Sequence, residues 1–494
     1  MNRKTTAAYW VLGPLFVSIA ASADAADWNQ WRGPNRDGAA PQSPRLIESL
    51  PEAGLGPAWI TEPLSPRGGN GGWASPVVAD GRVYVSLQLR DRRAGVKLPP
   101  EKFPALSKED REQLAPGALA EYEGSRQAEQ RARRDQEMKF TDVVHCFEMA
   151  TGRLLWTDEH ESVFTYYRPS SSPAVVDDRL YMLGSDRIAR CLDAASGSVV
   201  WETTLFDEYQ EPEVASSFVV AEGVAVILAG RLFGINARSG KVIWQGDPQS
   251  TSGTYSSPVV WQAGGKSYVI ANCGGSQTAC FDLHAGTELW REKAGASKST
   301  PLVVGDRLIT YASSRKQGVG CYRLGVGKPQ LLWNFQGVAD AGASPVVANG
   351  LAFAYGDKRL ACVDLDTGKA RWQTDLDISA ARYTSLIAAD GKVFLAWDGL
   401  IVFAASGDEF KLLFHGKVDR EGTIATEAQF RRRLNLAEIE KQPDGPQKAE
   451  QIWRREVGNQ GPLECATPAI ADGRLLMRLG SSRLACYDLR AGLK

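Results

Sequence analysis

The stretch ASPVVANGLAFAYGDKRLACVDLDTGKARW, residues 343–372, holds in order every element of the pattern that organises this chain. Ala343, Ser344 and Pro345 lead into a short apolar run, Asn349-Gly350 supplies a turn, and a second apolar run follows. The stretch closes on Asp364-x-x-Thr367-Gly368, with Trp372 four residues after the glycine. Short apolar runs between such turns are strand chemistry. Asn, Asp and Thr side chains bond their own turns, and Gly takes the positive φ that a tight hairpin needs.

Working outward, the first half of the pattern also begins at Ala74, Ser171, Ser216, Ser256, Ser299, Thr384 and Ala466, which with Ala343 makes eight copies. Anchored on Pro76, Pro173, Phe218, Pro258, Pro301, Pro345, Leu386 and Pro468, the steps are 97, 45, 40, 43, 44, 41 and 82 residues. The two long steps each contain one insertion. A period of about 40 to 45 residues made of short strands is that of a four-stranded propeller blade. The second half recurs in register, Gly152 leading to Trp156, Gly197 to Trp201, Gly240 to Trp244 and Gly286 to Trp290.

The fold expected is therefore all-β: an eight-bladed β-propeller of four-stranded antiparallel blades over residues 57–494. Each Trp falls on the outer strand of its blade, where its ring fills the space between neighbouring sheets. The eighth copy has no Trp strand of its own, while Pro57-Ala58-Trp59-Ile60-Thr61 stands unpaired ahead of the first copy. That N-terminal strand is expected to close the ring and remove an exposed sheet edge. The insertions, about residues 90–142 and 417–456, are dense in both signs of charge, with helix-compatible runs at 108–139 and 427–441. They read as solvated helical decorations or as a partner-docking arm.

Composition agrees with a turn-rich globular protein: 494 residues, 43% hydrophobic and 23% charged, with 49 Gly and 14 Trp. A net charge of -1 gives no bulk attraction for nucleic acid. Arg3 and Lys4, an apolar stretch at 7–21, and Ala23-Asp24-Ala25 read as a signal peptide covering 1–25. The apolar stretch is shorter than the roughly 20 residues a spanning helix needs. Residues 26–56 then form an N-terminal extension of an exported chain, periplasmic or extracellular.

The motifs of the common hydrolases and of nucleotide-binding loops are absent, and the four histidines (145, 160, 284, 415) are scattered. Asp364-Leu365-Asp366 is a fragment of a metal loop, but it sits on the repeat's hairpin turn, so no metal site is expected. Cysteines 146, 191, 280, 321, 362 and 486 occupy one slot of their repeats and read as small buried apolar residues, set too far apart around a ring to be bridged. Cys273 and Cys280 flank a Gly-rich turn in an exported chain, and a disulfide between them stays open.

The recurring ASPVV with DG, and D-x-x-[ST]-G-x-x-x-W, resemble the repeat of the pyrroloquinoline-quinone-like (PQQ-like) β-propeller superfamily over residues 57–494. WRGPNRDG at 31–38 resembles the N-terminal region of secreted bacterial members. The superfamily includes BamB-like non-catalytic propellers and quinoprotein alcohol dehydrogenases. In it the Ser-Pro strands are innermost, which implies that Trp73, Tyr255, Lys298 and Tyr383, each three residues before an anchor, gather at one mouth of the central channel. Arg382 lies beside them, and Tyr166, Tyr167 and Arg168 lead into the second repeat. These groups would stack on a flat or sugar-like ligand and take its carboxylates, or they pack loops across the propeller face.

The dehydrogenases carry adjacent cysteines, a calcium site and a catalytic Asp, and no such set can be matched here. The expectation is a non-catalytic propeller serving as a protein-interaction or ligand-binding scaffold in the cell envelope, with no cofactor. The alternatives are a dehydrogenase using PQQ with calcium at the channel mouth, and a carbohydrate-binding propeller.

Overall fold

Each repeat folds as one sheet whose strands run inner, second, third and outer, because each apolar run is joined to the next by a hairpin turn. The computed structural model describes residues 27–492 apart from 67, 207–212, 297 and 380; the signal peptide expected at 1–25 lies outside the described residues. Eight sheets form the ring, with blade 1 made of Val77–Ala79, Arg82–Arg92, Met138–Glu148 and Leu154–Ser162. Blade 8 takes Ala469–Ala471, Arg474–Arg478 and Leu484–Asp488 from the C-terminus and Trp59–Ile60 from the N-terminus. The expected closure is thus present, with Trp59 registered opposite Cys486. The blades are not uniformly antiparallel. Blade 7 is six-stranded, with Ala39–Ala40 lying parallel on its inner strand and Ile424–Ala425 on its outer one.

The Trp and Cys slots are two sides of one device. Cys146, Cys191, Cys280, Cys321 and Cys362 sit directly opposite Trp156, Trp201, Trp290, Trp333 and Trp372 across the third and outer strands. A small side chain there leaves room for the indole to lie over the seam to the next blade. The indole N–H then donates to a turn carbonyl of that blade: Trp59 to Met149 at 3.0 Å, Trp201 to Ala237 at 3.0 Å, Trp244 to Leu283 at 2.9 Å and Trp333 to Leu365 at 2.8 Å. The ring lies flat on the turn glycine. A Cβ on Gly286 (φ +69°) would stand 2.5 Å from Trp244, which explains why the turn ends in glycine. Two seams depart from the rule. Blade 5 has no D-x-x-T-G turn, and the Trp290 indole facing it has no partner among the described residues. Blade 7 carries Phe414 at the Trp position.

Nearer the axis a second set of bonds runs around the ring. The Ser or Thr before each anchor uses its hydroxyl to accept the amide of its counterpart in the preceding blade: Ser75 N–H to Ser172, Ser172 to Ser217, Ser217 to Ser257, and Ser257 to Thr300, at 2.8 to 3.1 Å. Thr300 continues to Ser344, Ser344 to Ser385, and Thr467 back to Ser75, each at 3.0 Å. All are buried, where an unmade bond would cost about 1 to 3 kcal/mol. Only the seam between blades 7 and 8, Ser385 to Thr467, lacks this bond among the described residues.

The insertions are helical, as expected. The first holds α1 (Lys108–Gln113) and α2 (Pro116–Glu137) at the end of the long blade 1 hairpin. The second runs from the outer strand of blade 7 to the inner strand of blade 8 through α3 (Glu427–Arg433), α4 (Leu436–Glu440) and α5 (Gly445–Trp453). The disulfide left open in the sequence is not formed. Cys273 faces Gln277 and Cys280 faces Ile270, so the two thiols lie on opposite faces of one sheet, in different inter-blade clusters. All eight cysteines are free.

Trp59→Ala is expected to cost about 3 to 5 kcal/mol in denaturant unfolding, the range for a buried aromatic replaced by Ala, far above the effect of an ordinary terminal residue. Burial pushes the Cys146, Cys191 and Cys486 thiols up to about 12. The native protein should therefore react with almost no thiol reagent at pH 8, while the unfolded chain releases all eight thiols.

Candidate functional site

The connection from each outer strand to the next inner strand passes over one end of the central channel, and the residue three before each anchor lies at the lip. That slot carries Trp73, Ser170, Ala215, Tyr255, Lys298, Gly342, Tyr383 and Cys465, and all eight line a single cavity of about 440 Å³. Four of these eight were singled out from the sequence. The side chains at this slot range from Gly to Trp.

Of the residues expected at the mouth, Trp73, Arg168, Tyr255, Lys298 and Tyr383 line the cavity, as does Tyr167. Arg382 does not: it is exposed beside the lip, and its carbonyl accepts the Cys465 Sγ–H at 3.8 Å. Tyr166 is also turned outward, 68% exposed, with its ring edge-on to Tyr167. Lys298 is held between two rings, its Nζ 4.5 Å from the Tyr255 centroid and 5.5 Å from that of Tyr383. Arg168 donates to the Gln88 carbonyl at 3.3 Å, and partial burial pulls its guanidinium below its usual value. Trp73 is fixed by a close backbone approach: its N–H donates to the Pro169 carbonyl at 2.9 Å, and a Cβ on Gly72 (φ +114°) would stand 2.3 Å from that oxygen.

Sequence reasoning missed four parts of the site. Glu213 is the cavity's carboxylate and accepts the Tyr255 hydroxyl; burial, and then this carboxylate, hold that phenol protonated well above its ordinary range. Asp340, just below the lip, accepts the amides of Gly342, Ala343 and Tyr383 at 2.8, 2.6 and 3.2 Å, stitching two connections together. Cys465 adopts φ +64° at the wall, and burial pushes its thiol up to about 12, so it is no thiolate nucleophile.

The fourth part is the floor. WRGPNRDG crosses the channel as a plug. Trp28 pairs with Val78 of blade 1, the Asn29 carbonyl accepts the Val175 amide of blade 2 at 2.7 Å, and the Gly38 carbonyl accepts the Ala388 amide of blade 7 at 2.8 Å. Between these points Arg36 donates to the carbonyls of Ser217 and Pro258 at 3.2 and 3.0 Å, and Arg32 to those of Ser344 and Pro345. Burial lowers Arg32 to about 10 and Arg36 to about 9. The rim of carbonyls is what makes two buried cations tolerable. Trp31 stands on this plug and forms the base of the cavity. The eight-residue motif was legible as a motif, but its place inside the ring was not, since its partners come from six different blades.

A calcium ion takes six to eight oxygen ligands. Glu213 is the cavity's carboxylate, and among the described residues no three His, Cys, Asp or Glu side chains are grouped to hold a metal ion. The described lining supplies too few oxygen donors for a calcium ion.

Residues 140–374 match the PQQ_2 family, described as outer membrane protein assembly factor BamB. No curated protein matches the sequence significantly. Among solved structures, the quinohemoprotein alcohol dehydrogenase of Comamonas testosteroni is similar at a TM-score of 0.54 and 13% identity, covering 95% of this chain and 81% of that one. Quinohemoprotein alcohol dehydrogenase ADHIIG of Pseudomonas putida HK5 is similar at 0.54 and 12%, with the same coverage. BamB of Moraxella catarrhalis gives 0.47 and 11%, covering 71% of this chain and 90% of that one. At these identities the likeness is one of fold.

A double-mutant cycle should find Tyr255 and Glu213 coupled. Tyr255→Phe and Glu213→Gln are each expected to lower unfolding free energy, and the pair to show about 1 to 3 kcal/mol of interaction, since the hydroxyl–carboxylate bond is charge-assisted and part-buried.

Proposed function

Taking as its premise a PQQ-like, BamB-like repeat closed into an eight-bladed ring, we propose that this protein is a non-catalytic binding propeller whose plugged channel mouth holds a small anionic ligand with a flat or ring-shaped face. One observation carries the reading: five aromatic rings (Trp31, Trp73, Tyr167, Tyr255, Tyr383) and two cations (Arg168, Lys298) converge on one cavity whose carboxylate is already bonded to Tyr255. Rings stack on a ligand's faces, and a guanidinium and an ammonium at the wall take its carboxylates. A volume of about 440 Å³ lies in the range of small-molecule sites.

The chemistry of the lining speaks for binding rather than turnover. Burial disfavours the Cys465 thiolate, the Glu213 carboxylate is already taken by the Tyr255 hydroxyl, and the described donor set does not suit calcium. An exported, envelope-located scaffold follows from the leader read in the sequence, with the outer surface and the helical insertions left for a protein partner. No helix among the described residues is long and apolar enough to cross a membrane.

The purified protein should show a saturable rise in thermal midpoint with flat or ring-bearing carboxylates, tested with PQQ and with glucuronate, reaching about 2.7 kcal/mol of added stability at a hundred times Kd. Lys298→Ala should weaken binding by roughly ten- to a hundred-fold, and calcium should change nothing. Calcium-dependent quinone binding with alcohol-driven dye reduction would replace this reading with the dehydrogenase one. No shift with either probe would remove the cavity as a ligand site.

A further inference from the structure

A second opening lies on the same face, over the seam between blades 7 and 8. This is the seam with Phe414 in place of Trp and without the Ser385–Thr467 bond, and the second insertion crosses it. The insertion leaves a groove of about 540 Å³ between the blade 7 turn at Trp397 and Asp398 and the end of α5 at Trp453. The groove adjoins the mouth cavity. Trp73 lines both, and the consecutive residues Glu464 and Cys465 line the groove and the cavity in turn.

The groove's chemistry differs from that of the cavity. Trp397 is half-buried, packed on one side against the core between blades 6 and 7 and anchored through its indole N–H to Ser379 at 2.9 Å. Trp453 is also half-buried and set edge-on to Phe430, 6.4 Å between centroids. Two tryptophans held from behind present rigid stacking surfaces. Around them stand Asp398, Glu427 and Glu464, with Asn459 at the wall. The groove's one cation, Lys417, is paired with Asp398 at 2.7 Å. The excess of carboxylates disfavours an anion and offers acceptors for hydroxyl donors. Rings that stack on C–H faces, flanked by hydroxyl acceptors, suit neutral sugar residues. The cavity beyond Trp73, with Arg168 and Lys298, suits a carboxylate.

We infer that groove and cavity form one continuous site for an oligosaccharide: neutral sugars lie across Trp453 and Trp397, and a terminal uronic acid passes Trp73 to reach Lys298 and Arg168. This rests on the reading of the cavity given above and adds the ligand class and its direction.

The test is isothermal titration of the full protein with three probes: xylotetraose capped by glucuronic acid, uncapped xylotetraose, and free glucuronic acid. The capped chain should bind at least ten-fold more tightly than either of the others. Trp397→Ala and Trp453→Ala should each weaken it by at least ten-fold while leaving glucuronic acid unchanged, and Lys298→Ala should weaken both acids but not uncapped xylotetraose. Thermal unfolding of each variant separates lost contact from lost fold, and Trp397→Phe, which keeps a ring, should restore most of the affinity. If the capped chain binds no better than glucuronic acid, and the groove variants are silent, the oligosaccharide inference fails while the cavity reading stands. If no sugar binds but PQQ does, the glycan class is wrong and the cavity is still a site. If nothing binds, both fail together.

Discussion

The structure depends on how each blade holds the next. Two latches act at different radii. Near the axis a buried backbone amide donates to the Ser or Thr hydroxyl of the following blade; at the rim an indole lies on the following blade's turn glycine and donates to its carbonyl. Either bond alone adds about 1 kcal/mol, but each recurs around the ring, and the pair between blades 8 and 1, Thr467 to Ser75 and Trp59 to Met149, forms only where the ring closes. Closure in turn rests on Trp59, which carries the N-terminus into the last blade. This explains why a ring of short strands tolerates two large insertions: they leave from strand ends and leave most latches intact.

The same geometry makes a site. Once the hydroxyl latches bring the inner strands together, the residue three before each anchor is delivered to one lip whatever its chemistry. The blades therefore constrain the Ser and the Pro, and leave the lip free to carry Trp, Tyr, Lys or Cys. The plug completes the arrangement from below. It turns an open channel into a floored cavity, and Arg32 and Arg36 hold it by donating to backbone carbonyls just ahead of the inner strands, those of Ser217, Pro258, Ser344 and Pro345.

How much was legible follows from how local each signal is. The repeat, the outer-strand Trp and the N-terminal closure rest on spacing within one unit, and sequence carries spacing directly. Trp73, Tyr255, Lys298 and Tyr383 could be placed together because they share a slot in that spacing. Arg382 could not be separated from them by position alone: Tyr383 takes a left-handed φ of +60°, and its neighbour Arg382 is left exposed beside the lip. Trp333 and Phe414 were missed because blades 5 and 7 have lost the D-x-x-T-G turn that flags the position, although the strand register keeps it. Glu213 left no signal, and WRGPNRDG was legible as a motif but not as a plug, since their partners lie in other blades and no periodicity links them.

The central claim is that the plugged mouth is where this propeller binds. Amide hydrogen exchange, followed with and without saturating acidic ligand, tests its location directly. Slowed exchange is expected in the connections that form the lip, around Arg168, Val214, Tyr255, Gly342 and Tyr383, and at Trp31 in the plug, with the outer strands unchanged. Protection confined to the outer strands or to α1 and α2, with the lip and plug exchanging as before, would contradict it.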